Sequence, residues 1–213
     1  MPIATVKEVL TILVLKLPRK LFSLPSRVKW WALFRNRRVT IAGPSRIAGF
    51  QNIHIMGSFN AGKNLWLEAI SKFAGEDYTP TIEIGDGFIC SEFVHIGAIS
   101  RIVIGTDVLI GSKTLITDHT HGKYTGDDQS SPLTPPYERP LYSKGAVCIG
   151  DRVFIGDNCV IMPGVNIGMG AVVGANSIVT SDVPTNTMVM GAPARPVKQF
   201  CFETMRWKSR VGE

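Results

Sequence analysis

The stretch Ile149–Val179, IGDRVFIGDNCVIMPGVNIGMGAVVGANSIV, carries an aliphatic residue at every sixth position: Ile149, Ile155, Ile161, Ile167, Val173 and Val179. Glycine follows directly at Gly150, Gly156, Gly168 and Gly174. A period of six is neither the 3.6 of a helix nor the two of a half-buried strand. It is the signature of a parallel β-helix, in which short strands stack coil upon coil and each coil packs only on its neighbours. A triangular coil needs a bulky branched residue pointing inward on each flat side. At each corner it needs residues that tolerate a tight turn, which Gly85-Asp86, Gly150-Asp151 and Gly156-Asp157-Asn158 are expected to supply. Four places after each inward aliphatic, a small or β-branched residue completes the packing: Val153, Cys159, Val165, Ala171, Ser177 and Val183.

The same period runs outward from this stretch. Ile104, Ile110 and Ile116 are in step, as are Ile84, Cys90, Ile96 and Ile102, with a looser run at Ile41, Ile47, Ile53, Phe59 and Leu65. The step from Ile96 to Ile104 is eight, so two extra residues bulge there. Coils are therefore expected over 39–199. Lys72 to Pro80 reads as a loop. From 118 to 145 the hexad disappears into polar residues, Gly122, Gly126 and four prolines. A structureless excursion of that length inside a compact repeat is uncommon and usually functional. Residues 1–38 read as a helical arm broken by Pro18 and Pro25, and 200–213 as a tail, with a short helix over 198–209.

The charge lies at one end. Residues 1–38 hold nine Lys and Arg against Glu8 alone, a net of +8, whereas the whole chain is +6. The remainder is thus −2, and the basic character belongs to the arm. Its apolar run, Val9 to Leu17, contains Lys16 and stops at Pro18, far short of the ~20 residues of a membrane span. Together with Trp30-Trp31 it reads as an interfacial segment on an anionic membrane, or as a cap packed over the end of the solenoid. No recognition module accompanies the charge, so nucleic acid is not an expected partner. Four cysteines without C-x-x-C spacing fit a reducing compartment, and nothing resembles a secretory signal. The expected location is cytoplasmic, peripheral on the inner face of the membrane.

Chemistry concentrates at the root of the excursion, in Thr117-Asp118-His119-Thr120-His121-Gly122. Histidine is the side chain best suited to take a proton near neutral pH, and Asp118 is placed to orient an imidazole. The hexads, this D-H-x-H-G string, Arg139-Pro140-Leu141, the run Val147 to Asn158 and Gly191-Ala192-Pro193-Ala194-Arg195 together resemble one family. It is the hexapeptide-repeat acyltransferases, and within it the bacterial sugar O-acetyltransferases of polysaccharide and lipopolysaccharide biosynthesis.

The resemblance implies an all-β, left-handed parallel β-helix, a homotrimer with active sites between subunits, and acetyl-CoA as donor without a metal. Counting eleven residues from Ile110 puts the family's catalytic histidine on His121, with His119 as runner-up. Its donor contacts fall on Asp157, Ala175, Thr180, Ser181, Arg195 and Lys198. Many relatives carry Lys at the position of Ser181 and Trp at that of Phe154. Ser91, His95 and Arg139 are expected to face the acceptor, a sugar that is nucleotide- or lipid-linked, while His54 reads as structural. An amine acceptor would use the same histidine, so sugar-amine N-acetylation stays open. A γ-class carbonic anhydrase shares the fold and would use His95, His119 and His121 on zinc, but its H-x₄-H spacing is missing. A non-catalytic solenoid would have no reason to break its coils with D-H-T-H-G.

Overall fold

In the computed structural model, the described residues are Phe34 and 38–209. The arm expected over 1–38 therefore lies outside them except for Phe34, which packs against the core, and Arg38. The chain winds into a three-sided prism of parallel strands. Its first side includes Phe59–Ala61, Phe88–Cys90, Leu109–Ile110, Phe154–Ile155 and Val172–Val173. The second holds Trp66–Ala69, His95–Ala98, Leu115–Thr117, Val160–Ile161 and Ile178–Val179. The third is built from Ile53–Ile55, Thr81–Ile84, Arg101–Ile104, Val147–Ile149 and Asn166–Ile167.

Register measures each coil. Val160 pairs with Ile178, a step of 18 residues and so three hexads. His95 pairs with Leu115, a step of 20 that contains the two extra residues. Leu115 pairs with Val160, a step of 45, so the excursion adds 27 residues to a plain coil. The excursion leaves and returns as a short antiparallel ribbon, Thr120–His121 against Leu141–Tyr142. An earlier hairpin, Lys72–Phe73 against Glu76–Asp77, stands where a plain loop was expected.

The hexad aliphatics fill the prism. All six from Ile149 to Val179 are buried, and so are the six small or β-branched residues that follow them. In the looser run, Ile47 is only half-buried. The glycines after the inward aliphatics serve a different purpose from the one expected. Gly156 does not adopt a positive φ; a Cβ there would sit 2.6 Å from the backbone N of Ala175 on the next coil. The left-handed corner conformation falls on other residues, such as Asn158 (φ 56) and Asn176 (φ 60). Asparagine tolerates that region better than most side chains. Glycine is thus selected by the close approach of backbones between coils, and asparagine by the turn.

The carboxyl end departs from expectation. Instead of a helix over 198–209, Ala194–Cys201 and Arg206–Ser209 form an antiparallel hairpin on the first side, and its first strand crosses the expected boundary at 199/200. Alternation explains it. Phe200 pairs with Trp207 and packs edge-on against both Trp207 and Phe202, which a period of two allows and a helix would not. Among the described residues no helix is long and apolar enough to cross a membrane.

Candidate active site

The site is organised by the point where the excursion leaves the second side. Ile96 pairs with Ile116 and Gly97 with Thr117, which puts Asp118 over the corner that holds the two extra residues. Its fully buried carboxylate receives the N–H of Ile99 (2.9 Å) on one oxygen and those of Ser100 and Arg101 (both 2.8 Å) on the other. The bulge thus finds its acceptor in a side chain one coil on, which satisfies backbone donors that would otherwise be stranded. The same carboxylate lies 3.0 Å from Nδ1 of His119, whose side chain is only 11% exposed. Thr117 Oγ1 flanks that nitrogen at 3.2 Å.

His121 is placed differently. It sits on the ribbon strand, exposed, with its ring edge-on to Phe73 of the earlier hairpin at 5.0 Å between centroids. Its imidazole makes no hydrogen bond among the described residues, whereas its backbone carbonyl accepts the Tyr124 hydroxyl. Arg139 donates from Nη1 to Tyr124 Oη (2.8 Å) and from Nε to the Thr134 carbonyl (2.8 Å). The guanidinium is therefore used inside the excursion, and it acts on His121 through Tyr124. One face presents the two histidines in distinct states: His119 is tied down and His121 is offered to solvent.

Along the outer surface of the second side, Trp66 stacks on His95 at 4.1 Å, and the Arg46 guanidinium lies 4.7 Å from the centre of the Trp66 ring. Glu68, buried, reaches His95 Nε2 at 3.3 Å and Arg46 at 3.7 Å. Burial raises the Glu68 carboxyl, but hydrogen bonds from His95 and Trp66 and the charges of His95 and Arg46 outweigh it and hold it below the ordinary range. A Cβ on Gly97 would meet His95 Nε2 at 3.2 Å and His119 Cε1 at 3.6 Å, so this glycine keeps a gap between the two rings. His54 is exposed on the third side, remote in register from this surface. Among the described residues no three of His, Cys, Asp and Glu are grouped to hold a metal ion.

The residues expected to meet the donor divide between two corners. Asp157 and Ala175 are exposed at the corner between the first and second sides. Arg195 joins them there: it pairs with Met190, whose Cγ lies 2.6 Å from where a Gly174 Cβ would stand. Asp157 also clamps coils, since its Oδ1 accepts the N–H of Ser112 at 2.6 Å. Thr180 and Ser181, exposed, follow the last strand of the second side, and Lys198 lies on the closing hairpin opposite Met188. Ser91 is half-buried at the first corner, donating its backbone N–H to Ile110.

Sequence reading missed Glu68, Phe73, Tyr124 and Tyr142. None stands in a motif, and each reaches the site through coil register or the excursion's own hydrogen bonds. It missed as well a cavity of about 260 Å³ between the excursion and the second side, lined by Tyr124, Tyr142, Lys144, Met162 and Thr180 among others.

A hexapeptide β-helix whose longest interruption is a loop with histidines at its root has the form of an acyl-transferring enzyme. Residues 146–181 match the family model described as the hexapeptide repeat of succinyl-transferase. The chain is 40% identical to the putative lipopolysaccharide biosynthesis O-acetyl transferase WbbJ of Escherichia coli (strain K12), over 82% of this chain and 85% of that one. It is 32% identical to the galactoside O-acetyltransferase of the same strain, over 65% and 63% of the two chains. Among solved structures, a hexapeptide-repeat acetyltransferase of Vibrio cholerae O1 biovar eltor, complexed with acetyl coenzyme A, superposes with a TM-score of 0.50. That likeness spans 92% of this chain and 90% of that one, at 25% identity. The chain belongs to the hexapeptide-repeat acetyltransferases.

Proposed function

We propose that the protein transfers an acetyl group from acetyl-CoA to a sugar hydroxyl, with His121 as general base. The observation that carries this reading is the contrast at the loop root. A base must be within reach of the hydroxyl whose proton it takes, and of the two histidines at the loop root His121 is the exposed one, its imidazole without a hydrogen-bond partner among the described residues. His119, held by Asp118 and Thr117, is a positioning residue that fixes the start of the ribbon carrying His121. The likeness to WbbJ and to the galactoside enzyme supports a sugar acceptor.

The reaction needs no covalent intermediate. The imidazole takes the hydroxyl proton as the oxygen attacks the thioester carbonyl carbon. The tetrahedral adduct collapses with cleavage of the C–S bond, and the departing thiolate takes the proton back from the imidazolium. Asp157, Ala175 and Arg195 at one corner, with Thr180, Ser181 and Lys198 beyond it, line the donor path. Arg195 and Lys198 are suited to its phosphates. His95 and Ser91 face the acceptor. The same reading carries the left-handed winding, a homotrimer whose neighbouring subunit closes the cleft, and attraction of the +8 arm to an anionic membrane.

The test is a rate measurement with acetyl-CoA and a panel of saccharides, amino sugars included. His121→Ala is expected to lower kcat by roughly 10²–10⁴-fold with the fold intact by circular dichroism. If His119→Ala does so and His121→Ala does not, the base is His119. No acetyl transfer to any hydroxyl would remove the sugar O-acetyltransferase reading.

A further inference from the structure

The cavity between the excursion and the second side has a chemistry that the transfer itself does not use. Thr120, on its wall, already donates its hydroxyl to the Gly122 carbonyl at 2.9 Å. Tyr124, also on the lining, is committed as well, its hydroxyl donating to the His121 carbonyl and accepting from Arg139. Thr125, Tyr142 and Thr180 line the cavity, and their hydroxyls make no hydrogen bond among the described residues. Lys144 lines it too and has no ion-pair partner among them. None of the lining residues is acidic. Outside the lining, the Lys123 ammonium lies 5.7 Å from the centre of the Tyr142 ring.

One lysine on the lining, three residues with spare hydroxyls and no carboxylate describe a place for an anion rather than for a neutral sugar ring. Strong hydrogen bonds form where an ionised acceptor meets charged or hydroxyl donors, and an ammonium acts on a phosphate as a point charge. A cavity of about 260 Å³ admits a phosphoryl group with part of the residue attached to it. Thr180 on its floor connects it to the donor path described above, and the ribbon strand that carries His121 forms its wall through Thr120. It is therefore next to the reaction without containing the base.

We propose that this cavity is a phosphoryl subsite, in which Lys144, with Thr125, Tyr142 and Thr180, holds a phosphate carried by one of the two substrates. The inference rests on the transferase reading for its choice of ligands. Two sources share the chemistry: the phosphates of the CoA donor, and the phosphate of a glycosyl phosphate or diphosphate acceptor. In the first case Lys144 supplies the cation that is missing at Ser181; in the second it selects acceptors that are still attached to a phosphorylated carrier.

The experiment is calorimetric titration of the full chain and of Lys144→Ala with four probes: acetyl-CoA, its 3′-dephospho form, glucose 1-phosphate and inorganic pyrophosphate. Lys144 is exposed, so its removal leaves the coils intact; Tyr142→Phe, which deletes only a hydroxyl, is the second variant. Loss of one charge-assisted contact is expected to weaken binding about tenfold. Weakening for acetyl-CoA but not for its 3′-dephospho form assigns the cavity to the donor. Weakening for glucose 1-phosphate, with acetyl-CoA unchanged, assigns it to the acceptor. If the unaltered protein binds no acetyl-CoA, the transferase reading fails while pyrophosphate still decides the cavity, by a tenfold loss in Lys144→Ala. Unchanged affinity of Lys144→Ala for all four probes overturns the proposal.

Discussion

The carboxylate of Asp118 stands 3.0 Å from Nδ1 of His119 while it receives three consecutive backbone N–H groups from the coil before it. One buried side chain thus joins the irregular corner of the solenoid to the first histidine of the excursion. Its main task is architectural, because at the irregular corner it stands in as the acceptor for three consecutive backbone N–H groups. The ring of His121 remains outside this network.

Asp118→Ala is accordingly expected to destabilise the fold. It leaves the N–H of buried Ile99 without its acceptor, together with those of Ser100 and Arg101, and each stranded buried donor costs about 1–3 kcal/mol. Asp118→Asn keeps an acceptor oxygen and should lose less. The check is the urea midpoint of the purified protein. An unchanged midpoint in the alanine variant would mean that water satisfies the bulge.

Gly156→Ala tests the reason for the glycine in each hexad. The added methyl would lie 2.6 Å from the Ala175 N and 2.9 Å from its Cα, backbone atoms that can yield only by separating the coils. Overpacking of this kind typically costs 1–3 kcal/mol. Thermal unfolding of the variant should show that loss. A variant as stable as the parent would show that the coils can part at this corner without penalty.

The period of six made the prism legible because each inward residue must be bulky and apolar and each coil repeats the demand: Ile110, Ile116, Ile155 and Ile161 are all buried as their spacing requires. The two-residue insertion was equally visible, as a step of eight. What closed the two ends of the reading was different. The tail pairs through Phe200 and Trp207, and an alternation of only a few residues is easily taken for a helix. The histidines at the loop root stood out by type, yet their separate environments were not legible. His119 meets Asp118 next to it in sequence, whereas His121 meets Phe73, 48 positions earlier, only because the two hairpins project from the same corner two coils apart and meet across the coil of His95–Ala98. Glu68 was invisible for the same reason: its partners Arg46 and His95 are coil-to-coil neighbours of Trp66, about one turn away in either direction.

That Glu68 cluster gives a pH prediction. The carboxyl of Glu68 is held below its ordinary value of 4.5, so it ionises more readily in the folded chain than in the unfolded one. Its contribution to stability is therefore present above about pH 4.5 and lost as pH falls through the lower folded value. The parent should be more stable than Glu68→Gln at pH 6, by no more than about 1 kcal/mol for a partly solvated pair, and the gap should shrink as pH falls below about 4.5. A gap that is constant across this range would show that Glu68 contributes by packing and not by charge.

Cys201 and Cys90 should differ sharply towards an alkylating agent. At Cys201, hydrogen bonds from the Thr204 side chain and backbone, then from Lys208, favour the thiolate and bring the thiol down to about 7. Burial pushes Cys90 up to about 12. Since the thiolate is the nucleophile, iodoacetamide at pH 8 should modify Cys201 within the folded protein and spare Cys90, as read by peptide mass. The rate at Cys201 should rise to half its maximum near pH 7. Lys208→Ala removes one of the stabilising donors and should move that midpoint upward. A midpoint already at the value of a free thiol in the parent chain would show that the hairpin does not hold Thr204 and Lys208 against the sulfur in solution.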